Sequence, residues 1–359
     1  MFFEFFSLIS NETRWGQKNI QYMKTIILEK PFAFQYHYTP FNASLEADEV
    51  LLKIHNIGIC GTDYHAFRGN QPFFTYPRRL GHELGAEIIA VGLGVDAQKY
   101  PLSSRVSVEP YLHCGKCSAC RRGKTNCCEN LEVLGVHSDG GMAEYVKVPA
   151  AKVHISTKLT YEQLAIVETL AIGCHAVERA AIEPNDIVLV IGAGPIGLSI
   201  IEFARFKGAP IFVIDKDENR LAFCKENYGV TTILKTTEEL DLQDFMPEKP
   251  TLIFDATGNE HSMNDTVKMV SNGGKIVFVG LHLSNVVFKD TDFHRSEITL
   301  LSSRNALPSD FKFIIQKMEE GVIDTSKWIT HRADFDDMVE QFETWLKPES
   351  RVIKAVVQL

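Results

Sequence analysis

At 359 residues, 45% hydrophobic and 23% charged, the chain has ordinary globular composition with room for two or three domains, which excludes a disordered or repeat protein. A formal net charge of -9 argues against a nucleic-acid partner, because phosphate binding draws on clustered Lys and Arg. No apolar run approaches the roughly 18 residues needed to cross a bilayer, so a cytoplasmic protein without a membrane partner is expected.

The first segment, residues 1–22, places Phe2, Phe3, Phe5 and Phe6 around Glu4. No basic residue precedes this run and no clear small-residue cleavage site follows, so it does not read as an export signal. Strand-like alternation starts at Met23 with KTIILEKP, and residues 1–22 are expected to be a loose or artefactual extension.

From Met23 to about residue 165, short apolar runs are broken by Gly and Pro (EVLLKIHNIGICG, LGAEIIAVGLGV, RVSVEPYL, GGMAEYVKVPA), the texture of an irregular β domain. Two runs end on chemistry: Cys60 in GICGTDYH, and His82 with Glu83 in RLGHELGAE. Thiolate, imidazole and carboxylate are all zinc ligands. Each also has a plainer role: a small buried residue for Cys60, a satisfied core histidine for His82, a surface charge for Glu83.

Residues 110–130 hold a more specific signal, the run CGKCSACRRGKTNCCE. Cys114, Cys117, Cys120 and Cys128 can wrap four thiolates around one tetrahedral ion, a closed site that stiffens a loop and takes no part in chemistry. Cys127 is left over. Disulfides suit small secreted chains better than 359 residues with eight cysteines.

After Thr160 the period becomes helical, with Leu164, Val167, Leu170 and Ala171 on one stripe. Strand and helix then alternate through a second domain, residues 166–305. DIVLVIGAG, PIFVID, TLIFDATG, KIVFVG and ITLLSS are continuous apolar runs of the kind a parallel sheet covered on both faces requires. PIGLSIIEFARFKG and ENRLAFCKENYG are helices closed by glycine. Residues 306–359 end in a helix, FDDMVEQFETWL, and a strand, RVIKAVVQL, which returns to the first domain.

Gly192, Gly194 and Gly197 form G-x-G-x-x-G between the strand IVLVI and a helix, the context in which backbone receives a pyrophosphate at a helix N-terminus. Asp215 closes the next strand about 20 residues on, where an acid meets a ribose 2'-hydroxyl and repels a 2'-phosphate. NAD is thereby favoured over NADP, although Lys216 offsets part of that repulsion. By itself Asp215 reads as a solvated strand end.

Taken together, CGTD, GHE, the four-cysteine lobe and GAGPIG make the chain resemble the zinc-dependent medium-chain dehydrogenase/reductase family from Met23 onward. The resemblance implies an α/β fold: a GroES-like irregular β catalytic domain (23–165) and a Rossmann doubly wound parallel-sheet domain. It implies two zinc ions per chain. Cys60, His82 and Glu83 become ligands of a catalytic zinc, with Glu168 near the metal as in polyol dehydrogenases, either ligating directly or through water. Cys60 and Glu83 would balance a divalent ion, so a third anion from Glu168 would weaken it, and Glu168 is expected to step back. Thr62 and His65 match the proton relay, and Asp63 the carboxylate that orients the ligating imidazole, its plainer role being a turn cap. Gly192, Gly194, Pro195, Ile196, Gly197, Asp215 and Arg220 fall at the cofactor. One departure is Ser103-Ser104 where the family has Gly-Asp.

FRGNQPFFTYPRRLGHE, LGVHSDGGMAEY and LLSSRNALPSDF resemble the subgroup of starvation-sensing proteins and L-galactonate or L-gulonate 5-dehydrogenases. A sugar acid is implied, its secondary alcohol giving up hydride to NAD. Its carboxylate needs a cation, for which Arg68 and Arg304 are candidates beside purely structural roles. Polyols of the sorbitol or galactitol-phosphate type and L-threonine are the alternatives within the same chemistry. A homodimer or homotetramer is implied. Other classes fit less well: a zinc-free quinone reductase leaves Cys60, His82 and Glu83 unexplained, and a nucleic-acid zinc module lacks a basic stripe beyond RRGK.

Overall fold

The computed structural model describes residues 21–235 and 241–359. For residues 1–20 the expected extension lies outside the described residues. Gln21 and Tyr22 already pair with Phe41 and Pro40 in the hairpin Gln21–Lys30 and Ala33–Phe41, so the first strand begins ahead of Met23.

A seven-stranded sheet runs in the order Ile329–Asp334, Lys354–Gln358, Glu49–Ile59, Glu83–Val91, Arg105–Val108, Val153–Ser156, with Tyr145–Pro149 also paired to Glu49–Ile59. Lys354–Gln358 comes back from the far end of the chain and sets Ala355 against Ile59 and Val356 against Gly58. Ser103 ahead of the Arg105 strand holds φ 61, the left-handed region glycine prefers, and its N–H still reaches Ile88 O at 2.8 Å.

The second sheet is parallel throughout, in the order Thr231–Leu234, Ile211–Asp215, Val188–Ile191, Leu252–Asp255, Lys275–Phe278, Thr299–Ser302. In chain order this is 3-2-1-4-5-6, the doubly wound arrangement whose ligands sit outside the carboxyl ends of the strands at the switch point. Alternate residues feed two cores: Val188 and Val190 pack on one face, Leu189 and Ile191 on the other. Apolar runs in the amino-acid sequence anticipate five of these strands. The sixth, Thr231–Leu234, lies at an edge with Ile233 alone fully buried, so it needs no continuous apolar run to announce it.

Helix Tyr161–Ala180 is the spine between the two sheets. Thr160 and Gln163 form a capping box at its start, and Leu164, Val167, Leu170 and Ala171 are fully buried, as are residues on its other faces. It packs tightly at two glycines. A Cβ on Gly85 of the first sheet would lie 1.8 Å from Tyr161 O, and one on Gly173 would lie 2.4 Å from the Ser199 carbonyl carbon. The Gly173 N–H donates to Ser199 Oγ, which in turn donates to Leu170 O, so helix Pro195–Ala204 is bolted to the spine. Among the described residues no helix is long and apolar enough to cross a membrane.

Gly173→Ala is expected to force these two helices apart and destabilise the protein by about 1–3 kcal/mol, the usual range for overpacking. Differential scanning calorimetry of the metal-loaded protein checks this, and an unchanged melting temperature would contradict the close approach.

Candidate active site

The four-cysteine lobe folds around its own sulfurs. Cys117 caps the short helix Ser118–Arg121, accepting from Cys120 N–H at 3.5 Å, while Cys128 Sγ accepts from Cys114 and Asn130 N–H at 3.3 and 3.4 Å. Cys128 Sγ lies 3.5 Å from Cys114 Sγ and 3.9 Å from Cys117 Sγ, close to the roughly 3.8 Å edge of a tetrahedron built from zinc–sulfur bonds. Backbone N–H groups of Lys116 and Cys117 pull the Cys114 thiol down to about 6, whereas burial and the sulfurs of Cys117 and Cys128 push Cys120 up to about 12. All eight cysteines are unbridged, and Cys127 is exposed and outside the group. The lobe therefore fits one structural zinc.

The second group is assembled by strand register. Glu83 stands opposite Gly58, Cys60 follows two residues beyond Gly58, and His82 immediately precedes Glu83. One donor atom from each of Cys60, His82 and Glu83 lies within 4.8 Å of the others. Gly58 is required here: a Cβ on it would sit 2.1 Å from Glu83 Oε2. That oxygen is buried without a partner, while Oε1 accepts from Thr169 Oγ1 at 2.8 Å and from Lys354 Nζ. Burial disfavours a charged His82, yet Asp63 and Cys60 outweigh it and raise its pKa well above the usual value, so the pocket favours a cation. Thiolate, imidazole and carboxylate together fit zinc, and three protein ligands leave the open position of a catalytic site.

Glu168 stands apart from this trio. It is buried on the spine helix, and Oε1 accepts from the hydroxyl of Tyr111, itself buried. Burial raises the Glu168 pKa against the pull of His82, with Glu83 adding to the rise. Asp63 performs the plain role: Oδ2 accepts from Cys60 N–H at 2.8 Å and caps helix Gly61–Phe67. Its other oxygen faces His82 Nδ1 at 3.8 Å, so it steadies the ring electrostatically and the expected hydrogen bond is not made. The charge balance of the ligands also needs correction. Lys354, fully buried against Glu83, keeps a raised pKa because Glu83 and Cys60 overcome its desolvation, so a cation already stands beside the candidate ligands.

Lys354, Thr169, Tyr111 and Gly58 are not singled out by the amino-acid sequence. Lys354 had a signal, a lone charge inside the apolar run RVIKAVV of a strand expected to return to this domain. Tyr111 had none.

Thr62 is half-buried on the first turn of helix Gly61–Phe67, and His65 lies one turn on, exposed, its pKa lowered by partial burial and by Arg68. Arg68 caps the same helix, exposed. Arg304 is exposed just after strand Thr299–Ser302, and its carbonyl accepts from Asn126 at 2.8 Å.

The glycine turn has the geometry the motif requires. Gly192 adopts φ 98, Gly194 caps helix Pro195–Ala204 with Pro195 and Ile196 in its first turn, and a Cβ on Gly197 would lie 1.8 Å from Gly192 O. Asp215 is no solvated strand end. Oδ2 accepts from Ala193 N–H at 2.6 Å and Oδ1 from Asp217 N–H at 2.9 Å, bracing the turn while each oxygen keeps a lone pair for a ribose. Arg220 Nη1 reaches to 3.6 Å of the Cβ position of Gly194.

Residues 46–158 match the model of the alcohol dehydrogenase GroES-like domain, and residues 195–320 that of the zinc-binding dehydrogenases. L-galactonate-5-dehydrogenase of Escherichia coli K12 is 42% identical over 313 residues, 86% of this chain and 92% of that protein. The starvation-sensing protein RspB of the same strain is 33% identical over 344 residues, 93% of this chain and 99% of that one. The solved structure of an alcohol dehydrogenase, RspB from E. coli CFT073, complexed with NADH, shares 31% identity at a TM-score of 0.87. It covers 94% of this chain and 100% of its own.

Elemental mass spectrometry of the purified protein is expected to count two zinc ions per chain. Lys354→Met should weaken one of them about 10- to 100-fold against a competing chelator, the usual effect of removing a partner of a metal ligand, and leave the thiolate-bound ion in place. Two equally retained ions in the variant would contradict the role given to Lys354.

Proposed function

The chain belongs to the zinc-binding medium-chain alcohol dehydrogenase family, and we propose that this oxidoreductase oxidises a secondary hydroxyl of a sugar acid, a hexonate such as L-galactonate or L-gulonate, with NAD. The observation that carries the reading is the convergent trio of half-buried Cys60 with buried His82 and Glu83, Glu168 being drawn to Tyr111, a three-ligand arrangement that leaves room for a substrate oxygen. When bound, zinc supplies a Lewis acid for that oxygen and NAD the hydride acceptor.

The chain's own residues do the rest. Thr62 Oγ1 takes the hydroxyl proton while giving up its own proton toward His65, whose exposed imidazole, its pKa lowered, accepts it and releases it to water. Glu168, neutralised more easily than an exposed carboxyl because it is buried, holds the water displaced by substrate. Lys354 holds Glu83 through Oε1 and leaves Oε2 without a protein partner. Arg304 and Arg68 supply cations for the carboxylate that separates a sugar acid from a polyol. The Asp215 carboxylate supports NAD over a 2'-phosphorylated coenzyme.

A panel of hexonates, hexitols and L-threonine, assayed with NAD and NADP before and after chelation, tests the reading. The hexonate–NAD pair is expected to give the highest kcat/KM, and chelation to abolish it. A preference for hexitols or L-threonine would overturn the substrate assignment. Arg304→Ala should raise KM for the hexonate about 10- to 100-fold, the worth of a charge-assisted contact, with little change in kcat. Glu168→Gln should lower kcat at least about tenfold with both zinc ions retained, and full activity would remove Glu168 from the mechanism.

A further inference from the structure

The loop that carries Arg304 leaves the carboxyl end of strand Thr299–Ser302, on the side where open parallel sheets bind their ligands. It spans Arg304 to Leu307, with Asn305 at φ 52 and Ala306 fully buried, and enters helix Pro308–Glu319. Such a segment, with a non-glycine residue in the left-handed region, keeps one shape only when its surroundings impose it.

The surroundings form a closed ring. Asn126 Nδ2 donates to Arg304 O at 2.8 Å, which fixes the amide orientation because a carbonyl can only accept. Its second hydrogen faces His175 Nε2 at 3.0 Å, so that nitrogen accepts and the proton of the neutral ring sits on Nδ1. Nδ1–H donates to Asp310 Oδ2 at 3.1 Å, and the same oxygen accepts Leu307 N–H at 2.8 Å. The loop is thus held at its first carbonyl and its last amide, and His175 joins the two grips. Asn126 and Asp310 are both buried. One turn along the spine helix from His175, Arg179 donates to Ser302 O and holds the strand end just before the loop.

Asn126 belongs to the turn Thr125–Cys127 of the thiolate lobe, two residues before the ligand Cys128. We infer that Asn126, His175 and Asp310 form a positioning clamp through which the thiolate lobe fixes the loop carrying Arg304. The closed, non-catalytic zinc would then contribute to substrate recognition by setting where one guanidinium starts. None of the three residues touches substrate, and their effect on sugar-acid binding rests on the role proposed for Arg304.

The test is backbone amide exchange of residues 303–307, read by mass spectrometry on the full-length, metal-loaded enzyme beside KM for L-galactonate. In His175→Phe and Asn126→Ala, exchange across these residues should quicken about tenfold, the effect of losing one or two hydrogen bonds. KM should rise by a similar factor, with kcat little changed. His175→Gln restores the ring, its amide N–H donating to Asp310 and its oxygen accepting from Asn126, and should behave as the parent enzyme. His175 lies outside the lobe, so this pair of variants remains decisive even where Asn126→Ala loosens the metal site. Unchanged protection in His175→Phe, or equal damage in His175→Phe and His175→Gln, would overturn the clamp. Faster exchange with an unmoved KM would uphold the clamp and overturn the role of Arg304.

Discussion

The contact of Lys354 with Glu83 governs whether the proposed catalytic pocket can exist. A carboxylate with no solvent exposure is strongly disfavoured unless a cation and hydrogen-bond donors compensate it, and here Lys354 and Thr169 both converge on one oxygen. The compensation leaves Oε2 buried without a protein partner. It also makes the pocket a product of tertiary structure. The cation arrives on strand Lys354–Gln358, 271 positions from Glu83, and occupies its place because that strand pairs with Glu49–Ile59, the strand that presents Gly58 and leads to Cys60.

The same dependence explains what the amino-acid sequence reveals and what it conceals. The cysteine lobe and the glycine turn are local: their residues lie within a short stretch, and their spacing encodes their geometry, so both are legible from residue order alone. Cys60, His82 and Glu83 are legible as motifs, but their approach depends on a register that spacing does not encode. Tyr111 and Glu168 are 57 positions apart and meet through the packing of the spine helix, with no pattern to announce it. The parallel sheet is readable where strands form continuous apolar runs, the edge strand Thr299–Ser302 included, and escapes detection at the opposite edge, Thr231–Leu234, where Ile233 alone is buried.

Helix Tyr161–Ala180 explains how two differently built sheets serve one reaction. It sets Glu168 against Tyr111, gives Thr169 to Glu83, receives helix Pro195–Ala204 at Gly173, and offers His175 and Arg179 to the loop beyond the last parallel strand. A helix buried on nearly every face gains little from amphipathic contrast. Its precise placement comes instead from glycines that let backbone touch backbone at Gly85 and Gly173.

Asp215 carries a consequence for anyone redesigning coenzyme choice. Because its carboxylate braces the Ala193 and Asp217 amides, it is part of the turn's architecture as well as the discriminator proposed above. Exchanging it for a small neutral residue to admit a phosphorylated ribose would release both amides and slacken the cradle the new coenzyme must occupy. Swapping preference in this scaffold would therefore call for a replacement acceptor at the turn, introduced together with the new cation.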